Sequence, residues 1–186
     1  MYKMVPWNKD LDLSEFYRRA KEKGYENNKD QKSLVDCFNN EREKQVWILY
    51  NDLAPIGSVA SHSLDVMGDD SYRICARTCV LTDMVSGTYG QGLRTSSVIT
   101  DHQNPTAQFF IPQCIEWAGR NKKLYITSND SKYGSQRLVH RIFCPLLESQ
   151  GVLTKAAVKE YRGLEQTFWL LDVEQFYNQL EKFPRW

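Results

Sequence analysis

The spacing of apolar residues changes period several times along the chain, and each change predicts a new secondary-structure element. Leu13, Phe16, Tyr17 and Ala20 recur at helical spacing, and Gly24 follows as a stop signal. Further on, stretches of bulky β-forming residues are separated by turn residues. The pattern predicts strands over 2–7, 45–50, 56–66, 72–82, 123–127 and 166–171, an extended stretch from 152, and helices over 13–20, 31–40, 105–118, 131–149 and 173–180.

Three central strands within 45–82 follow one another with only short turns between them. Such a succession is typical of an antiparallel meander. Residues 83–103 contain three glycines and no helical stripe, which predicts an irregular segment. Pro105 then opens a helix, and Pro112 and Pro145 are expected to bend the helices that contain them.

Composition and charge are those of an ordinary globular chain, so we expect one domain over 1–186. Hydrophobic residues make up 41% and charged residues 25%, and 24 basic side chains nearly balance 23 acidic ones. The lack of a basic excess argues against binding nucleic acid through its phosphates. No apolar stretch is long enough to cross a membrane, and the N-terminal segment lacks the apolar run of a signal peptide.

Five widely spaced cysteines without any CxxC pair predict free, mostly buried thiols in a reducing, cytoplasmic compartment, and no metal site. Cys75 and Cys79 lie on one face of a predicted strand but about 13 Å apart, too far for a disulfide. A cysteine nucleophile paired with a histidine is the weaker interpretation, because each cysteine has apolar neighbours. His140, between Arg137 and Arg141, is expected to be exposed.

The element order and two sequence tracts resemble one known family. Gly87-Thr88-Tyr89-Gly90-Gln91-Gly92 follows the predicted fourth strand, and Leu124-Tyr125-Ile126-Thr127-Ser128-Asn129 covers the fifth. In these respects the chain resembles the GNAT superfamily of acyl-CoA-dependent N-acyltransferases, whose fourth strand runs into a loop of form Q/R-x-x-G-x-G/A. Here the first loop position is Gly87, and the clear helix opens only later, at Pro105. The resemblance implies an α/β (α+β) fold, a mixed twisted sheet of six to seven strands with helices on both faces.

The resemblance also implies that acetyl-CoA or another acyl-CoA binds as co-substrate at the end of the fourth strand and in the loop, whose amides hold its pyrophosphate. The implied contacts are Val80, Thr82, Tyr89, Gly90, Gln91 and Gly92. If the loop is instead an insertion, the anion site lies at the start of the later helix, from Thr106 to Gln108. Asn129 either binds the pantetheine amides or caps the helix that follows.

Acyl transfer to an amine needs a base for the amine and a proton donor for the leaving thiolate. The candidate bases are His62 and Asp83. The alternative interpretation is that His62 is an ordinary histidine on a strand and that Asp83 caps a turn. The resembled family often has a donor tyrosine four residues before the glycine that ends the helix after the fifth strand. Here that glycine is Gly151 and the position holds Leu147, so the nearest alternative is Tyr133, which otherwise is a packing residue. The implied partners are a small-molecule or peptide amine and, at most, a second copy of the chain. A non-catalytic GNAT-like binding module that has lost the cofactor site is the alternative hypothesis.

Overall fold

The structure is a computed structural model that describes residues 1–23, 38–81, 105–130 and 139–182. Within these ranges seven strands form one sheet: β1 (Tyr2–Pro6), β2 (Lys44–Asn51), β3 (Ala54–Ser63), β4 (Ser71–Val80), β5 (Lys123–Ser128), β6 (Leu153–Tyr161) and β7 (Leu164–Leu171). Their order across the sheet is β1-β2-β3-β4-β5-β7-β6. Every neighbouring pair is antiparallel except β4 and β5, which run parallel. The predicted mixed sheet is therefore confirmed.

Helices cover both faces of this sheet, as predicted. In the described ranges they are α1 (Ser14–Glu22), α2 (Thr106–Phe110, continuing as Ile111–Ala118), α3 (Val139–Phe143, continuing as Cys144–Ser149) and α4 (Val173–Glu181), besides a 3₁₀ turn at Asp65–Met67. On one face, Phe16 of α1 belongs to the same buried cluster as Ile48 of β2. On the other face, Phe110 of α2 and Leu147 of α3 belong to a larger cluster with Ile74 of β4. Alternation along the strands supplies apolar side chains to both faces.

A widened helical turn lies directly before each of the two proline-containing helical segments in which bends are expected. In α2 the π-helical turn Thr106–Phe110 comes directly before the α-helical segment that holds Pro112. In α3 the π-helical turn Val139–Phe143 comes directly before the segment that holds Pro145. Since proline has no N–H to donate to the preceding turn, a wider hydrogen-bonding pattern there avoids a missing bond.

The predicted meander is confirmed as β2, β3 and β4, with shifted ends. The strand predicted over 56–66 ends at Ser63, because the chain turns into the 3₁₀ turn that follows. Most of the helix predicted over 31–40 and the whole irregular segment 83–103 lie outside the described residues. Among the helices that the structure describes, none combines the length and the apolarity needed to cross a membrane.

Candidate functional site

The parallel strands β4 and β5 are paired only where they begin. Ser71, Tyr72 and Arg73 of β4 face Lys123, Leu124 and Tyr125 of β5, and beyond these residues the two strands part. β4 nevertheless continues to Val80 and β5 to Ser128. We call the opening between the strands beyond Arg73 and Tyr125 the fork. In the fork, the backbone groups on the facing edges of β4 and β5 do not form hydrogen bonds with each other. Buried backbone groups of this kind require other partners.

β4 is irregular along its length at the fork. Its pairing with β3 shifts register twice, so that Ser58, Ala60 and His62 face Cys79, Ala76 and Arg73. At these shifts Cys75 and Arg77 adopt φ values of 55° and 52°, the left-handed region that non-glycine residues rarely occupy. Such bulges turn backbone groups out of the ladder, and each left-handed residue costs on the order of 1–3 kcal/mol. Strained backbone is therefore concentrated on the strand that borders the fork.

At the far end of β5, the hydroxyl of Ser128 joins two other elements. It accepts a hydrogen bond from Trp169 Nε1 of β7 at 2.8 Å and lies 2.9 Å from His140 Nδ1 of α3. Ser128 is buried and His140 is half-buried, so the expectation of an exposed His140 is wrong. The register of β5 against β7 pairs Ser128 with Thr167, so Trp169 is a diagonal neighbour two residues further along β7, which no spacing in the sequence indicates.

Three thiols next to the fork have pKa values raised above the ordinary range. The Cys75 side chain interacts with Cys114 of α2, and this contact together with burial holds the pKa of Cys75 well above its ordinary value. Burial raises the pKa of Cys144, next to Ser128, to about 12, and burial does the same for Cys79 on β4. The thiolate needed for a cysteine nucleophile is therefore disfavoured at each of these positions. All four cysteines in the described ranges are free.

His62, one candidate base, lies opposite Arg73 in the paired part of the sheet, next to the point where the fork begins. Its side chain is 0% exposed, and Nδ1 donates to the Ser63 carbonyl oxygen at 2.7 Å. Burial, reinforced by the charge of Arg73, lowers the pKa of His62 to about 3. An imidazole with such a pKa is neutral at pH 7 and is a poor base, which favours the interpretation of His62 as a strand histidine over that of a catalytic base.

Three of the residues implied as cofactor contacts lie in described positions. Val80 is buried at the end of β4 opposite Gly57, where an added Cβ would stand 2.9 Å from the Cys79 carbonyl oxygen. Thr106 is buried in the first turn of α2, and Asn129 is half-buried directly after β5. Val80 and Asn129 thus lie at the ends of the two strands that form the fork, and Thr106 lies at the start of the helix α2. The other implied residues lie outside the described ranges: Thr82, Asp83, Tyr89, Gly90, Gln91, Gly92 and Tyr133.

No protein-family model and no curated protein sequence matches the chain. Solved structures do resemble it. An aminoglycoside N-acetyltransferase matches with a TM-score of 0.56 at 10% identity, over 95% of this chain and 99% of that one. An N-acyl amino acid synthase from uncultured soil microbes matches with a TM-score of 0.53 at 9% sequence identity, over 99% of each chain.

An acetyltransferase assigned to the GNAT family, from Desulfovibrio desulfuricans, matches with a TM-score of 0.52 at 11% identity. The match covers 91% of this chain and 97% of that one. At such low identities the similarity is one of fold, and the chemistry of the site has to be argued from its own residues.

Proposed function

Because the chain has the fold of the GNAT acyl-CoA N-acyltransferases, we propose that it transfers an acyl group from an acyl-CoA to an amine. The observation that carries this proposal is the fork. An extended arm with amide groups, such as the pantetheine of an acyl-CoA, can bind to the unpaired strand edges as a short additional strand. Acetyl-CoA is the simplest donor to test.

The pyrophosphate of the cofactor needs a cluster of backbone amides near the fork. We expect it either in the loop of Tyr89, Gly90, Gln91 and Gly92 or at the start of α2 near Thr106. Val80 ends β4 and Asn129 follows β5, so both stand at the ends of the strands that the arm would join.

In the proposed reaction the amine nitrogen attacks the thioester carbonyl carbon. A C–N bond forms, the C–S bond breaks, the amine loses one proton to a base or to water, and the thiolate of CoA takes up one proton. The bulged backbone at Cys75, on the strand that borders the fork, is suited to place an N–H group near the carbonyl oxygen as it becomes negative. A fixed donor of this kind contributes about 10²–10³-fold to the rate.

His140 is the proton donor that we propose for the leaving thiolate. The position that holds a tyrosine in the resembled family is Leu147, which is fully buried in the core. His140 instead presents an imidazole on the same helix, held at 2.9 Å by Ser128 at the end of β5. Since Trp169 donates to the same serine oxygen, the serine proton is free to be donated to Nδ1, which leaves Nε2 as the proton carrier.

The acceptor is a small-molecule or peptide amine in this proposal, and the reaction takes place in the cytoplasm. The resembled structures include an aminoglycoside N-acetyltransferase and an N-acyl amino acid synthase, so their names alone do not select one kind of acceptor. The choice between such acceptors is argued from the residues of this chain below.

Calorimetric titration of the full chain with acetyl-CoA tests the proposal, followed by measurement of free thiol released in the presence of mixed amines. We expect saturable one-to-one binding and amine-dependent thiol release. No binding at millimolar acetyl-CoA would overturn the proposal. That absence of binding would favour the non-catalytic module that has lost the cofactor site, a hypothesis that the buried Leu147 at the donor position also supports. Binding without thiol release for any amine would overturn the catalytic part of the proposal alone.

A further inference from the structure

A row of polar and aromatic side chains crosses the sheet where the fork begins. His62 of β3 faces Arg73 of β4, and Arg73 faces Tyr125 of β5. Directly paired residues project to the same face of a sheet. This face is opposite to the one that holds α2 and α3, because the neighbours Tyr72 and Ile74 both belong to the core cluster of those helices.

The turn between β6 and β7 reaches the same row. The Arg73 guanidinium lies 5.8 Å from the ring centre of Tyr161, and that of Arg162 lies 5.4 Å from it. Arg162 also forms an ion pair with Glu41 at 2.5 Å, and Glu41 lies 3.7 Å from His62 Nδ1. Glu41, His62, Arg73, Tyr161 and Arg162 therefore form one group, which we call the arginine cluster.

The two arginines of the cluster differ in how their charge is compensated. Arg162 has Glu41 as its partner. Arg73 has no carboxylate within ion-pair distance among the residues that the structure describes, and burial lowers its pKa. Within the same ranges, Arg73 Nε, Tyr161 Oη and His62 Nε2 are buried without a hydrogen-bond partner. An uncompensated buried cation is costly, and an anion that binds it removes that cost.

These atoms also define which hydrogen bonds a ligand must supply. Arg73 Nε can only donate, Tyr161 Oη can donate and accept, and His62 Nε2 can only accept while Nδ1 donates to Ser63. A ligand that matches them carries an anionic group and an N–H or O–H donor close together. A purely cationic amine would face Arg73 and Arg162 with like charges.

We propose that the arginine cluster binds the acceptor of the reaction, and that this acceptor is a small amine bearing a carboxylate or a phosphate, such as an amino acid. The inference rests on the proposed acyl transfer. Arg73 is the last residue of β4 that pairs with β5, so an anionic group held there brings the amine of the same molecule to the fork. Arg73 and Tyr161 bind the anion, and His62 accepts from the donor.

A matched series of amines tests the inference on the unaltered protein. L-phenylalanine, L-phenylalaninamide and phenethylamine differ in the anionic group, and O-phosphoethanolamine against ethanolamine tests phosphate in place of carboxylate. Binding is measured by calorimetry with and without CoA, and thiol release is measured with acetyl-CoA. We expect one of the anionic amines to bind at least about tenfold more tightly than its uncharged counterpart, as one charge-assisted hydrogen bond predicts.

Substitutions at Arg73 identify the residue responsible. Arg73→Gln is expected to abolish the preference for the anionic amine, and Arg73→Lys to retain part of it. Arg120→Gln is the matched control, because Arg120 stacks on Tyr177 of α4 at 4.6 Å and takes no part in the cluster. If Arg73→Gln does not fold, as judged by circular dichroism, the amine series on the unaltered protein and on Arg73→Lys decides the question.

The outcomes separate this inference from the proposed function. Thiol release with phenethylamine or ethanolamine as efficient as with their anionic counterparts would overturn the inference and leave acyl transfer intact. Tighter binding of an anionic amine by a protein that does not bind acetyl-CoA would support the arginine cluster as an anion site and overturn acyl transfer. Failure to bind any amine of the series would overturn the inference.

Discussion

At the scale of single residues, the position of His140 leads to a testable prediction about proton transfer to the leaving thiolate. His140→Gln keeps a side chain that can accept a hydrogen bond from Ser128 but cannot deliver a proton to the leaving thiolate. Since general acid catalysis contributes about 10²–10⁴-fold, we expect kcat to fall by about 10²-fold or more, with little change in the KM for acetyl-CoA. Steady-state thiol release across a pH series measures both quantities.

Arg141→Gln is the control for this change. Arg141 is the next residue of α3 and is exposed, with its side chain paired to Asp130 at 2.7 Å, so its loss should leave kcat unaltered. Ser128→Ala should lower kcat less than His140→Gln, since the serine only positions the imidazole. A His140→Gln variant with the kcat and the pH profile of the unaltered protein would show that His140 is structural.

The burial of His62 leads to a second prediction, about how the free energy of unfolding depends on pH. Its pKa of about 3 in the folded chain is below the ordinary value of 6.5, so between these values the unfolded chain binds the proton more readily. The free energy of unfolding therefore rises with pH in this window. The contribution of neutral His62 to the free energy of unfolding is fully present above about pH 6.5. As the pH falls toward 3 this contribution is lost, and the free energy of unfolding decreases by up to about 1.4 kcal/mol per pH unit.

Urea unfolding at pH 6.5 and pH 5 measures this slope, and His62→Gln should flatten it. NMR of the His62 ring in the unaltered protein provides an independent reading, because a buried neutral imidazole keeps its chemical shifts unchanged down to pH 5. A protonation midpoint near pH 6.5 in the folded state would contradict the prediction and would restore His62 as a candidate base.

Residue roles were predictable from the sequence only where they depend on neighbours along the chain. Helix stops such as Gly119 and Gly151, both with positive φ, follow from local backbone preference. The neutrality of His62 depends instead on burial and on its register with Arg73, and the bond from Ser128 to His140 joins two elements. Neither follows from spacing, which is why His140 was expected to be exposed.

At the scale of elements, α4 offers a test of helix capping. Asp172 precedes the helix and its carboxylate accepts from the Gln175 backbone N–H at 2.9 Å. Asp172→Ala should lower the free energy of unfolding by about 1 kcal/mol, because one N–H of the first turn loses its partner. Glu174→Ala is the control, since Glu174 lies in the same first turn but does not cap it. Equal losses for both variants in urea unfolding would contradict the assignment.

The element order, by contrast, was largely predictable. Apolar periodicity and turn residues identified the meander of β2 to β4, the strand β5 and the helices α2, α3 and α4. Each of these depends on a pattern within one segment of the sequence. The bulges of β4 were not predictable, since Cys75 and Arg77 are ordinary strand residues in sequence and adopt positive φ only against β3. Prolines 112 and 145 predicted a bend but not the π-helical turn that accommodates each of them.

At the scale of the whole molecule, the fork divides the sheet into two halves. β1 to β4 form one half and β5 to β7 the other, and the only strand pairing between them in the described ranges is that of residues 71–73 with 123–125. The helices of the larger core cluster, α2, α3 and α4, hold the halves together by apolar contact. A ligand that joins both edges of the fork would complete the sheet between them.

This division predicts a local pattern of hydrogen exchange. In the free protein, backbone amides of β4 and β5 that face the fork have no partner strand, so they should exchange faster than the amides of the paired residues Ser71–Arg73. Acetyl-CoA should slow exchange over Ile126–Ser128 and Ile74–Val80, because its arm supplies the missing acceptors. Hydrogen-exchange mass spectrometry with and without acetyl-CoA measures both effects, and β6, which pairs with β7 alone at the far edge, is the internal control. Protection confined to β6, or equal protection of the paired and the forked stretches, would mean that the arm does not bind in the fork.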